Sequence, residues 1–166
     1  SPVNGAIAAS VSGTAASGVN SVTAGGTSNG SASFTNVTQS LTNGNGSGAQ
    51  FSISTDGTGN YSVGGVTTAG NGYQVGDSIT INGANLGGVN GINDLNLTVT
   101  ALTSASYSVA QSSTTGSGSG AIFNLTSDSN GNYAVSSIPT FGSNYALNDQ
   151  VVITGSNLGG TDAQND

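Results

Sequence analysis

The chain has 166 residues and a net charge of −7, supplied by seven aspartates, and it contains no Lys, Arg, His, Cys or Glu. No side chain can be cationic at any pH, so side-chain ion pairs are excluded. Nucleic acid and anionic lipid, which are held largely by cationic side chains, are disfavoured as partners. The same gaps remove most general bases, nucleophiles and metal ligands, so the composition points away from an enzyme.

Leu, Ile, Val and Phe make up about a fifth of the residues, near the border below which chains stay disordered, so pattern must decide. Residues 1–31 match neither of the two copies described below, except that Ser21–Ala24 ("SVTA") resembles Thr98–Ala101 ("TVTA"). This segment is read as the closing strand of a preceding unit or a donor strand. Its stretches "GAIAASVSG" (Gly5–Gly13) and "GVNSVTA" (Gly18–Ala24) have strand-compatible apolar spacing.

Period-two alternation then predicts strands at Phe51 and Ile53, at Tyr61 and Val63, at Ile79 and Ile81, and at Leu95, Leu97 and Val99. "TDGTGN" (Thr55–Asn60) joins the first two as a hairpin loop, and "GNGY" with "VGD" makes the next corner. The alternation returns at Phe123 and Leu125, at Tyr133 and Val135, and at Val151 and Ile153, with "SDSNGN" (Ser127–Asn132) as the loop. No segment has helical spacing, and 28 glycines disfavour helix throughout. The expected fold is all-β: tandem small sandwich or barrel-like modules with Gly-rich turns.

An offset of 72 residues aligns "GSGAQFSISTDGTGNYSV" (Gly46–Val63) with "GSGAIFNLTSDSNGNYAV" (Gly118–Val135) without a gap, and the match runs on to the "ND" at Asn93–Asp94 and Asn165–Asp166. Two copies of one unit follow. The organisation predicted is an N-terminal strand segment (1–31), a first β-repeat module (32–103) and a second (104–166), with cores centred on 44–103 and 116–166. The second module has no counterpart of Leu95, Leu97 and Val99. An uncovered groove there invites a strand from the N-terminal segment of another subunit, or from the next residues of a longer chain.

The string Gly70–Ile81 ("GNGYQVGDSITI"), with "GSGAQFSI" upstream and "NDLNLTV" downstream, resembles the GxGYxVGDxITI repeats of structural proteins of tailed phages, particularly marine ones, and similar glycine-rich β-repeats of bacterial surface proteins. The resemblance covers roughly residues 44 to 166 and implies fibres or decorations on virions. The second copy departs from the pattern at Ser143, Asn144, Ala146 and Asn148.

Two loops place oxygen-bearing side chains at spacings seen in calcium loops. Asp56 and Asn60 form one candidate set, and Asp128, Asn130 and Asn132 the other. Each offers one carboxylate where a hard cation takes six to eight oxygens, so a plain hairpin turn competes with a calcium site. No other cofactor is expected. Asp77 and Asp149 are read as turn caps. Tyr61, Tyr73, Tyr133 and Tyr145 recur at repeat positions and are read as packing residues, while Tyr107 is less constrained. The functional expectation is a structural subunit of an extracellular or virion fibre, self-assembling through strand contacts, with no membrane insertion. The alternative is an adhesin or receptor-binding module that recognises surface glycans through Tyr, Asn and Asp.

Overall fold

The computed structural model describes residues 2–3 and 7–166, with side chains from Ile7 onward, so Gly5 and Ala6 of the first N-terminal stretch lie outside the described residues. The described residues form strands and two short 3-10 turns, Gly83–Leu86 and Gly155–Leu158, with no α-helix among them. The strands are β1 (Pro2–Val3), β2 (Val19–Gly25), β3 (Ala32–Thr38), β4 (Leu41–Thr42), β5 (Gln50–Thr55), β6 (Tyr61–Thr68) and β7 (Ser78–Ile81). They continue with β8 (Leu95–Leu102), β9 (Ala105–Ala110), β10 (Ser113–Thr114), β11 (Ser119–Ser127), β12 (Tyr133–Ser143), β13 (Tyr145–Ala146) and β14 (Val151–Val152). All pairings between them are antiparallel, and no sheet closes into a barrel.

Two compact units result: Ala16–Thr103, called the first module, and Ser104–Asp166 with the chain up to Ala15, called the second. In the first module one sheet has the order β2-β8-β7-β4 and the other β3-β5-β6. One apolar cluster draws on both sheets: Phe51 and Ile53 from β5, Ile79 and Ile81 from β7, and Leu95, Leu97, Val99 and Leu102 from β8. Each is at most 1% exposed. Burying such a side chain contributes about 1.5–3 kcal/mol, which is how so small an apolar fraction supports a fold. Along β8 the odd positions from Leu95 to Val99 are buried and Asn96, Thr98 and Thr100 are exposed, as the alternation predicts.

The second module rebuilds the three-stranded sheet as β9-β11-β12, with Leu125 opposite Tyr107 and Phe123 opposite Val109. These pairs match Ile53 with Phe34 and Phe51 with Val37 in the first module. Its other sheet is reduced to β10 and β14. Phe123, Leu125, Tyr145 and Leu158 form its core, each at most 4% exposed.

The N-terminal segment is divided between the modules. The N–H of Ser28 donates to the Gly59 carbonyl (2.9 Å), and that of Ala15 donates to the Gly131 carbonyl (2.8 Å). The Asn93 side-chain amide donates to Thr27 O (3.0 Å), and that of Asn165 to Thr14 O (2.8 Å). Ser17 bridges Tyr73, and Val3 pairs with Tyr145. Val3, Thr14 and Ala15 thus make for the second module the contacts that Ser17, Thr27 and Ser28 make for the first. The stretch Gly18–Ala24 is engaged within its own chain, since β2 pairs with β8.

Candidate functional site

The candidate cation loops are built around hydrogen-bond donors. Asp56 Oδ1 accepts the Thr58 N–H (2.8 Å), the Thr58 hydroxyl (2.8 Å) and the Asn60 N–H (3.0 Å), while Oδ2 accepts the Asn60 side-chain amide (3.0 Å). Asp128 Oδ1 accepts the N–H groups of Asn130 (2.9 Å) and Asn132 (2.9 Å), and Oδ2 accepts the Asn132 amide (3.2 Å). A cation needs oxygens that converge; here N–H groups converge on one carboxylate, the geometry of a capped hairpin. The Asn60 N–H and side-chain amide, with Thr58, hold the Asp56 carboxyl far below the usual carboxylate range. The Asn132 N–H and side-chain amide lower that of Asp128. Among the described residues no three acidic, His or Cys side chains gather as a metal site would require.

The remaining aspartates do the same kind of work. Asp77 Oδ2 accepts the Gln74 N–H (2.9 Å) and Asp149 Oδ2 the Ala146 N–H (2.8 Å), bracing the corners before β7 and β14. Asp94 Oδ1 takes the N–H groups of Gly83 (2.8 Å) and Gly91 (2.9 Å), and Asp166 Oδ1 takes those of Gly155 (2.7 Å) and Ala163 (2.8 Å). Asp162 accepts the Ser156 N–H (2.7 Å), and the contact with Ser156 lowers its carboxyl pKa. Its counterpart Asn90 accepts the Ala84 N–H (2.8 Å). All seven negative charges are therefore directed at backbone donors, which stand in for the missing cations.

The tyrosines are packing and bridging groups. The Tyr73 hydroxyl donates to Gln39 Oε1 and accepts the Ala49 N–H (3.1 Å), while the Gln39 amide donates to Gly46 O (3.1 Å). Tyr145, Gln111, Ala121 and Gly118 repeat this network. A Cβ on Gly46 or Gly118 would lie 2.1 Å from the tyrosine ring, so these positions require glycine. The Tyr61 hydroxyl donates to Asn93 O, and that of Tyr133 to Asn165 O (3.1 Å). Burial, followed by the neighbouring Tyr107 and Asp166, pushes the Tyr133 phenol up to about 12.

Gln39 and Gln111 are absent from the candidates drawn from the sequence, although they too stand 72 residues apart, just ahead of Gly46 and Gly118. A bulge at Asn36 (φ 53°) in β3 breaks the 72-residue register just upstream. Past that bulge, Tyr107 is the counterpart of Phe34: each is half-buried and packs against its module's core. Tyr107 is thus constrained by packing like the other tyrosines, and it also lines a shallow depression of about 390 Å³ with Ser106, Asn124 and Ser136. Asn144 (φ 65°) and Asn148 (φ 74°) take the left-handed conformations of Gly72 (φ 81°) and Gly76 (φ 95°), so these departures of the second copy keep the backbone path. No family description, curated protein or solved structure matches this chain.

Proposed function

We propose that the chain is a structural subunit of an extracellular or virion fibre, its modules joined through β-strand contacts. The observation that carries this reading is the use of all seven aspartates as caps for backbone N–H groups, most of them at equivalent places in the two modules. A catalytic or binding site needs polar groups held in reserve for a ligand, whereas these groups hold turns. The phage-repeat resemblance of Gly70–Ile81 supports the same reading. Negative-stain microscopy of the native material tests it: filaments with a regular axial repeat are expected, and discrete particles at high protein concentration would overturn it.

A second reading, a glycan-binding adhesin, is favoured by the depression beside Tyr107, where an aromatic ring lies near Ser106, Asn124 and Ser136. A glycan-array signal abolished by Tyr107→Ala in a folded protein would establish it.

A further inference from the structure

We propose that Asn29 is a covalent modification site: the backbone nitrogen of Gly30 closes on the Asn29 side chain, and water then converts the amide to aspartate and isoaspartate. The chain writes Asn-Gly eight times, at Asn4, Asn29, Asn43, Asn45, Asn71, Asn82, Asn90 and Asn130, and Asn4 lies outside the described residues. Glycine has no Cβ to shield its amide nitrogen, so every pair is reactive on sequence alone. Ring closure needs two freedoms. The Gly N–H must be able to lose its proton and attack, and the peptide group between the two residues must turn toward the side chain.

At six described pairs the fold withholds one or both. Asp94 Oδ1 holds the N–H groups of Gly83 (2.8 Å) and Gly91 (2.9 Å), which restrains Asn82 and Asn90. The Gly131 N–H donates to the Asp128 carbonyl (3.1 Å), which restrains Asn130. The Gly44 N–H donates to the Thr42 hydroxyl (3.2 Å), while the Asn43 side-chain oxygen accepts the Ser78 N–H (2.8 Å). Asn71 exchanges both backbone bonds with Ser47 (3.0 Å each), which fixes its carbonyl, and Gly46, after Asn45, is buried beneath the Tyr73 ring.

Asn29 and Gly30 stand instead in the exposed connection between β2 and β3. Among the described residues neither the Asn29 carbonyl nor the Gly30 N–H has a hydrogen-bond partner, and a Cβ on Gly30 would meet nothing within 4 Å. One exposed hydrogen bond, from Asn29 Nδ2 to Gly87 O (3.1 Å), holds the side chain. In the reaction the Gly30 nitrogen gives up its proton and bonds to Asn29 Cγ, the Cγ–Nδ2 bond breaks, and ammonia leaves with that proton. Water then opens the imide, giving aspartate when the new bond breaks and isoaspartate when the original peptide bond breaks. No oxidant or reductant takes part. Either product adds a carboxylate and lacks the Nδ2 donor, so the tie from this connection to the end of the Gly83–Leu86 turn is lost.

The test incubates the whole chain in mildly alkaline buffer, folded and in urea, and locates each mass gain of about one unit by fragmenting peptic peptides, which also separates isoaspartate from aspartate. In the folded chain Asn29 should deamidate at least ~10-fold faster than the six restrained asparagines, whose hydrogen bonds or packing must open first. In urea the rates should converge, because the pairs share one dipeptide. Equal rates in the folded chain, or a spread that persists in urea, would overturn the proposal. Asp94→Ala removes the acceptor of both Gly83 and Gly91 and should raise the Asn82 and Asn90 rates at least ~10-fold while Asn43 stays slow; unchanged rates at Asn82 and Asn90 would also overturn it. Because that variant risks unfolding the first module, the comparison of folded and urea-treated unsubstituted chain carries the decision.

Discussion

Replacing Ile81 by aspartate is the sharpest perturbation of the first module. Ile81 has no exposed surface and faces Leu95 across the strand pair, in an apolar cluster whose only side-chain polar groups, the hydroxyls of Tyr73 and Tyr61, are committed to Gln39 and Asn93 O. Loss of the buried aliphatic side chain alone costs about 2–5 kcal/mol. The new carboxylate adds the cost of an unpaired buried charge, and a chain without Lys, Arg or His has no side-chain cation to move toward it. A total of about 5 kcal/mol is comparable to the whole stability of a domain this size, roughly 0.05–0.15 kcal/mol per residue. Ile81→Asp should therefore unfold Ala16–Thr103 at pH 7, read as loss of the first-module transition in a calorimetric or urea melt. The sign with pH follows from burial: the introduced carboxyl has its folded pKa raised, so its penalty is largest at neutral pH and shrinks as acid protonates it. Ile153→Asp, at the half-buried equivalent, should cost about half as much. An Ile81→Asp melt with an unchanged midpoint would refute the packing argument.

Other outcomes separate the two modules or test the capping scheme. Thr55 Oγ1 accepts the Ala32 N–H (2.8 Å), whereas its counterpart Ser127 has a buried hydroxyl with no partner. Thr55→Ala should cost about 1 kcal/mol in a denaturant melt, and Ser127→Ala should be neutral or stabilising; equal losses would contradict the hydrogen-bond assignment. At alkaline pH the raised phenol of Tyr133 contributes stability that is complete below the unfolded value near 10 and lost as pH climbs through about 12. A residue-resolved NMR titration should show Tyr133 ionising late and together with unfolding, and free ionisation of Tyr133 near 10 in the folded protein would count against it. Asp56 and Asp128, with lowered folded pKa values, stabilise their loops above the unfolded value near 3.9 and lose this as acid protonates them. Their carboxyl carbons should titrate by NMR below the unfolded aspartate value near 3.9. Millimolar calcium should leave the melting temperature unchanged, because N–H donors already occupy both carboxylates; a rise of many degrees would restore the cation reading.

The strands were legible because period two survives in a chain this poor in apolar residues: Phe51, Ile53, Ile79, Ile81, Leu95 and Leu97 were named by alternation and are the buried core. The division of the N-terminal segment was not. Ala15, Thr14 and Val3 engage the second module largely through backbone groups, which leave no side-chain pattern, and the only sequence signal is the pair Gly13-Thr14 and Gly26-Thr27. The candidate loops were located correctly as hairpins, but spacing alone does not show whether an Asn side chain turns its oxygen or its amide toward the carboxylate. That orientation distinguishes a cation site from a cap.

One hydrogen-bonded framework is built twice in this chain, and residue-resolved amide hydrogen exchange reads it out pair by pair. Equivalent capped amides should be protected as pairs: Ala49 with Ala121, Gly83 with Gly155, Gly88 with Gly160, and Ser28 with Ala15. The amides of β7, enclosed by β8, should exchange far more slowly than those of β14. Protection of Ser28 without protection of Ala15, or equal protection of β7 and β14, would contradict the account.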